Sequence, residues 1–232
     1  MTGPDGAPDD FGDPSVSEIP EAAERIFGAA TPAAARYVAK LAGDGVTRGL
    51  IGPREVPRLW ERHVLNSAAL AEAVPEGARV VDVGSGAGLP GVPLGLARPD
   101  LTLTLVEPMA RRVEFLQEVV ADLGVPWRVV RGRAEERAVV RVVGPVDVVT
   151  ARAVAPLPRL VGWCRGLLRP GAQLIALVGS RAAEEVPSLV PELEAAGMRE
   201  IHTRAVGVGL GEAATTVVLM TRGGTPRPPA QS

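Results

Sequence analysis

Residues 80–94, VVDVGSGAGLPGVPL, constrain the fold of this chain more than any other stretch. A β-branched run, Arg79-Val80-Val81-Asp82-Val83, leads into Gly84, Gly86, Gly88 and Gly91, and a helix is expected to begin near Pro90. Four glycines in eight residues exceed what a tight turn needs. Glycines at alternate positions let the chain reverse sharply and let a ligand approach the main chain. The segment therefore predicts a strand–turn–helix unit of an open α/β sheet, with a small-molecule site at the turn.

The rest of the chain extends that unit. Further strands are expected at Leu101–Val106, Trp127–Val130, Val146–Thr150 and Gln173–Val178, with helices at Pro108–Leu123 and Leu157–Leu168. Strands alternating with helices of this length imply a parallel sheet covered on both faces. After a helix near Ala182–Ala196 the rhythm changes. Two strands, Glu200–Val206 and Ala214–Met220, are separated by a short Gly-rich link that leaves no room for a helical crossover, so they are expected to pair antiparallel. Upstream, residues 21–75 read as helical, with a break near Thr31-Pro32 and a second helix starting at Pro53. The expected division is a mobile acidic tail over 1–20, a helical segment over 21–75, a ligand-binding α/β domain over 76–222 and a mobile tail over 223–232.

Composition removes several function classes. One cysteine, Cys164, rules out an intrachain disulfide and a Cys-rich zinc site, and His63 and His202 lack metal-ligand spacing. No metal is expected. No apolar run is long enough to span a membrane, and the acidic N-terminus does not read as a secretory signal, so a soluble cytoplasmic protein is expected; a monomer is expected, although no residue pattern fixes the oligomeric state. The formal net charge is −2, but six acids and no base fall in residues 1–21. The remaining 211 residues set 25 bases against 21 acids, a mildly basic body that permits an anionic partner. Lys40 is the only lysine, so anion contacts fall to arginine.

Two cofactor classes suit the glycine turn. Gly86-x-Gly88-x-x-Gly91 matches the dinucleotide fingerprint, the signature of a nicotinamide-dependent oxidoreductase. Asp82-Val-Gly84-Ser-Gly86-Ala-Gly88 instead resembles the first motif of class I S-adenosylmethionine-dependent methyltransferases. Glu107, 23 residues beyond Gly84 at the end of the second strand, can accept both hydroxyls of an adenosine ribose in either case. Three features favour the methyltransferase: the strand acid Asp82, the segment Leu167-Leu168-Arg169-Pro170-Gly171-Ala172 as a turn before the fifth strand, and the antiparallel ending. Tyr37 and Lys40, three apart, lie upstream of the turn and supply no hydride-transfer pair there.

Further segments sharpen the likeness: Arg62-His63-Val64-Leu65-Asn66-Ser67, Leu89-Pro90-Gly91-Val92-Pro93-Leu94, Arg111-Arg112-Val113-Glu114-Phe115-Leu116, Arg133-Ala134-Glu135-Glu136 and Thr150-Ala151-Arg152-Ala153. In this order they resemble the bacterial 16S rRNA guanine-N7 methyltransferase G family, also called glucose-inhibited division protein B, over roughly residues 45–180. The resemblance implies a Rossmann-like, mostly parallel seven-stranded sheet closed by an antiparallel hairpin. It implies S-adenosyl-L-methionine as cofactor and a guanosine in the decoding-region loop of 16S rRNA, or the small subunit carrying it, as substrate. It places Gly84, Leu89, Ala134, Glu135 and Arg152 in the cofactor pocket. Two departures stand out: Val178-Gly179-Ser180 where many relatives have a lysine, with Arg181 as a substitute, and Asn66 where Asp is frequent. A non-catalytic ribosome-binding relative is the remaining alternative.

Guanine N7 has a free lone pair and no proton, so attack on a sulfonium methyl needs no general base, and no catalytic acid or base is assigned. Arg152, at the carboxyl end of a central strand, is expected at the ligand crevice, holding the methionine carboxylate or the substrate. His63 reads as a partly buried structural histidine or a substrate contact, and Arg111 and Arg112 as phosphate contacts or a solvated helix face. Arg128, Arg131 and Arg133 are expected to share one side of an extended third strand, and Cys164 to be core.

Overall fold

A computed structural model describes residues 18–152 and 155–224 of the chain. Most of the expected N-terminal tail, Ala153 of the fourth-strand motif, and residues 225–232 lie outside the described residues.

Seven strands form one sheet in the order β3-β2-β1-β4-β5-β7-β6. They are β1 (Arg79–Val83), β2 (Thr102–Glu107), β3 (Arg128–Arg131), β4 (Val146–Arg152), β5 (Leu168–Val178), β6 (Met198–Val206) and β7 (Thr215–Arg222). The first five are parallel, whereas β7 runs antiparallel between β5 and β6. The sheet and the antiparallel ending match the expectation. The strand order reverses at β1, which has β2 on one side and β4 on the other. In open α/β sheets the crevice beyond the carboxyl ends at such a reversal is where ligands bind.

Side chains of β1 alternate between two cores, Val80 facing one and Val81 and Val83 the other. The first core lies under α1 (Glu21–Phe27), α2 (Thr31–Lys40), α3 (Gly91–Ala97) and α4 (Ala110–Leu123). The second lies under α5 (Arg137–Val143), α6 (Leu157–Cys164) and α7 (Ser180–Ala195). The N-terminal helices thus bury Phe27, Tyr37 and Leu41 in the same core as Leu103 and Leu105 of the sheet.

Three local expectations are corrected. The stretch from Pro53 is not a regular α-helix. It winds tightly over Pro53–Arg58, opens into a wider turn over Leu59–Leu65, passes one α turn at Asn66–Ala68 and tightens again over Ala69–Ala73. Pro57 inside the first part has no N–H to donate, which breaks regular winding. Second, α5 was not anticipated, because its valines at 139, 140, 142 and 143 carry no strong helical preference. Third, α6 stops at Cys164, a turn runs through Leu167, and Leu168–Ala172 is part of β5 itself. Leu168 pairs with Val146 before the register shifts and Gln173 pairs with Val148, so the expected turn is an irregularity within the strand.

Candidate functional site

A cavity of about 510 Å³ opens at the carboxyl ends of β1, β2 and β4. Gly84, Gly86, Leu89, Glu107, Ala134, Glu135 and Arg152 all line it. Residues as far apart in sequence as Gly84 and Arg152 are thus brought together. Leu50, Ile51, Met109, Arg112, Arg133 and Trp163 complete much of the wall.

Glu107 lies at the centre of this geometry. Its Oε2 accepts from the Gly86 N–H at 3.0 Å and its Oε1 from the Met109 N–H at 2.9 Å. It therefore ties the glycine turn to the residue that leads into α4 and also stands on the cavity wall. Each carboxylate oxygen can accept a second donor, so capacity for two hydroxyls remains.

The turn is braced from behind. Asp82 is fully buried and does not line the cavity. Its Oδ1 accepts from Thr150 Oγ1 at 2.9 Å and its Oδ2 from the Gly91 N–H at 3.2 Å, while Ser85 Oγ donates to its main-chain oxygen at 2.9 Å. Burial pushes its carboxyl up to about 7. The expectation of direct cofactor contact at Asp82 is corrected: its contacts are all with protein, and it shapes the turn from β1 and β4. Gly88 is corrected likewise. At φ +102° its absent Cβ would sit 2.7 Å from Val92 and 3.0 Å from the Tyr37 hydroxyl, so glycine is needed there for packing against protein. Gly86 is the opposite case. A Cβ there would meet only the Gly84 carbonyl, at 3.7 Å, leaving it free to project where a ligand would lie.

Tyr37 was missed as a site residue. From α2 its buried hydroxyl donates to the Ala87 carbonyl at 2.8 Å, tying the N-terminal helices to the middle of the turn. Burial, reinforced by the nearby Asp82 charge, raises its pKa, so the hydroxyl stays protonated and donates. No sequence periodicity links positions fifty residues apart. Trp163, next to Cys164 on α6, lines the cavity, whereas Cys164 is buried as expected.

Arg152 is in place but largely engaged. Its Nη1 donates to Ser67 Oγ at 3.1 Å and the His63 carbonyl at 3.4 Å, and its Nη2 to the Arg62 carbonyl at 3.1 Å and His63 Nδ1 at 3.2 Å. Those contacts use four of its five N–H groups, so it fastens the Pro53–Ala73 stretch to the end of β4. Arg152 thus lines the cavity while anchored by these contacts, with only Nε–H unassigned among the described residues. Arginine can only donate, which makes His63 Nδ1 an acceptor and leaves Nε2–H to donate to Glu55 Oε2 at 2.9 Å. Burial, assisted by the Arg152 charge, lowers the His63 pKa. His63 is therefore a neutral positioning group on the cavity wall, held at both nitrogens.

Arg111 and Arg112 do not act as a pair, because successive helix positions point about 100° apart. Arg112 lines the cavity, 3.8 Å from Glu107 Oε2, with its Nε buried and without a partner among the described residues. Arg111 is exposed and lies outside the cavity. The third strand ends at Arg131, so Arg133 leaves the extended run and reaches the cavity while Arg128 and Arg131 remain on the sheet edge.

These residues suit S-adenosylmethionine. The cavity has the volume of a small-molecule site. Glu107 keeps acceptors for a ribose diol, Gly86 leaves open the approach to the main chain, and Arg112 adds a positive charge to the wall. No groups of His, Cys, Asp and Glu that could hold a metal occur among the described residues.

Comparison with known proteins gives the same reading. Residues 30–210 match the family of rRNA small subunit methyltransferase G. The ribosomal RNA small subunit methyltransferase G of Mycolicibacterium gilvum is 52% identical over 200 residues, covering 86% of this chain and 88% of the relative. That of Rhodococcus jostii is 51% identical, covering 91% and 93%, and that of Streptomyces avermitilis 54% identical, covering 89% and 87%. Among solved structures, mitomycin 7-O-methyltransferase superposes with a TM-score of 0.56 at 17% identity, over 80% of this chain and 60% of that one. The ribosomal protein L11 methylase of Lactobacillus delbrueckii subsp. bulgaricus gives a TM-score of 0.51 at 16% identity, over 69% and 77%. The structural likenesses establish a class I methyltransferase fold, and neither the oxidoreductase nor the non-catalytic alternative gains support. On the length and identity of the sequence match, the chain belongs to the rRNA small subunit methyltransferase G family.

Proposed function

We propose that this protein transfers the methyl group of S-adenosylmethionine to N7 of a guanosine in the decoding-region loop of 16S rRNA, acting as a monomer in the cytoplasm. The carrying observation is that the family match over residues 30–210 contains every residue of the cavity described above. Among the described residues no helix is long and apolar enough to cross a membrane.

The bound cofactor supplies an electrophilic sulfonium methyl. Glu107 would accept from the ribose hydroxyls through the lone pairs left by Gly86 and Met109, and Ala134-Glu135 would border the adenine. Leu50, Ile51, Met109 and Trp163 make an apolar wall that excludes water. No side chain removes a proton, because N7 carries none, and His63 has both nitrogens engaged. Alignment of N7 with the methyl carbon and sulfur is the main task, and positioning of this kind supplies on the order of 7–11 kcal/mol. Arg54, Arg58 and Arg62, exposed and without ion-pair partners among the described residues, follow the stretch that carries His63 and suit the RNA backbone.

The test uses small ribosomal subunits from cells lacking this protein. Purified protein with methyl-labelled S-adenosylmethionine should label one guanosine, and chain cleavage selective for N7-methylguanosine should locate it in the decoding-region loop. Label on another base or atom, or on protein alone, would overturn the proposal.

A further inference from the structure

A second cavity of about 310 Å³ adjoins the first and shares His63 and Arg152 with it. It lies beyond the ends of β4 and β5 and includes Glu55, Asn66, Gly179 and Glu212 in its wall. We propose that this cavity receives the target guanine, unstacked from the RNA, and that the Glu212 carboxylate reads its N1–H and N2 amino group. The inference rests on the function proposed above and extends it to base selection.

The position follows from the shared wall. A base accepting a methyl from the first cavity must bring N7 to the His63–Arg152 boundary. N1 and N2 lie on the opposite side of the purine from N7, so they point into the part of the second cavity that the first does not share. Glu55 and Glu212 belong to that part. Glu55 already accepts the His63 Nε2–H, whereas Glu212 has no hydrogen-bond or ion-pair partner among the described residues. The cavity has room for a base, and a base seated there has to leave its stack, as enzymes acting on bases commonly arrange.

The chemistry selects guanine. Its N1–H and N2 amino group form a paired donor edge that a carboxylate accepts with both oxygens. Adenine would present the N1 lone pair to the same carboxylate and would be repelled. The backbone carrying Glu212 is held in place although its side chain is free. Asn66 Nδ2 donates to the Ala213 carbonyl at 3.3 Å, and the Gly207 N–H donates to Glu72 Oε1 at 3.1 Å. The Pro53–Ala73 stretch thereby fixes both ends of the Val208–Ala213 segment.

The test compares small subunits reconstituted with 16S rRNA carrying guanosine or inosine at the modified position. Inosine keeps N7, O6 and N1–H but lacks the N2 amino group. For the wild-type protein kcat/KM should fall roughly 10- to 100-fold on inosine, the worth of one hydrogen bond to a charged group. In Glu212→Gln and Glu212→Ala the guanosine-to-inosine ratio should collapse towards one, with cofactor affinity by calorimetry unchanged. A variant that binds cofactor normally yet keeps the wild-type ratio overturns the assignment of Glu212 while leaving the proposed function standing. Failure of the wild type to methylate guanosine at N7 overturns both.

Discussion

Replacing Tyr37 with phenylalanine removes one oxygen atom from the protein and should weaken a site that the residue does not line. The ring keeps its packing, so no cavity opens. What disappears is the 2.8 Å hydrogen bond to the Ala87 carbonyl, made between two buried residues. A buried acceptor left without a donor costs about 1–3 kcal/mol. For a chain of this size each kcal/mol lowers Tm by about 2–4 °C, so a fall of roughly 2–12 °C is expected. Part of that cost returns when the free turn relaxes and the carbonyl finds water. The bound turn, held against its ligand, cannot relax in the same way. Cofactor affinity should therefore weaken by about 3- to 10-fold, a share of about 0.7–1.4 kcal/mol. Differential scanning calorimetry with and without S-adenosylmethionine reads the first effect, and isothermal titration the second. A variant with wild-type Tm and wild-type affinity would refute the reasoning that α2 braces the glycine turn.

Gly86→Val should abolish measurable cofactor binding while costing only about 1–2 kcal/mol of stability, the price of φ +57° for a residue with a Cβ; unchanged affinity in a titration would sink the assignment of the turn. Asp82 predicts a pH effect of definite sign. Its folded pKa, raised by burial from 3.8 to about 7, means that the native state holds a proton the unfolded state has lost, so this contribution is full below the unfolded value and is lost as pH rises to about 7. Asp82→Asn should remove that decline, on the order of a few kcal/mol, and identical denaturation midpoints against pH for both proteins would contradict it. Arg112→Ala should weaken S-adenosylmethionine binding whereas Arg111→Ala should leave it unchanged, which parallel calorimetric titrations will decide; equal losses would show that the two act together after all.

The sheet was legible because β-branched runs, helical spacing and glycine turns are local signals. The Gly84–Leu89 turn and Glu107 followed from the same order of strand, turn, strand and acid. What escaped notice depends on contacts between distant positions or on orientation. Tyr37 reaches Ala87 across fifty residues, and nothing in the pattern of α2 marks its hydroxyl. Arg111 and Arg112 look equivalent in sequence, yet helix geometry sends only one to the cavity. Asp82 sits in a motif that resembles a ligand contact, and its alternation along β1 instead points it into the protein, towards Gly91 and Thr150. Arg152 was placed at the crevice correctly, but its partners come from the irregular stretch after Pro53, whose winding the Pro57 interruption obscured.

The placement of β7 between β5 and β6 has a consequence for synthesis on the ribosome. Chains emerge N-terminus first, at about 5–20 residues per second. When β6 has emerged it has no docked neighbour, because the strand that joins it to β5 is made after it. Until Thr215–Arg222 follows, β5 presents an open edge, the kind of edge that recruits foreign strands. The sheet therefore cannot close until β7 is made, and its closure also sets the Val208–Ala213 segment beside Asn66. The Gly84–Leu89 turn can assemble early on the nascent chain, whereas the second cavity, with Glu212 in its wall, exists only after the sheet is closed. An unfinished molecule would therefore lack the Glu212 side of that cavity for as long as its sheet edge stays open.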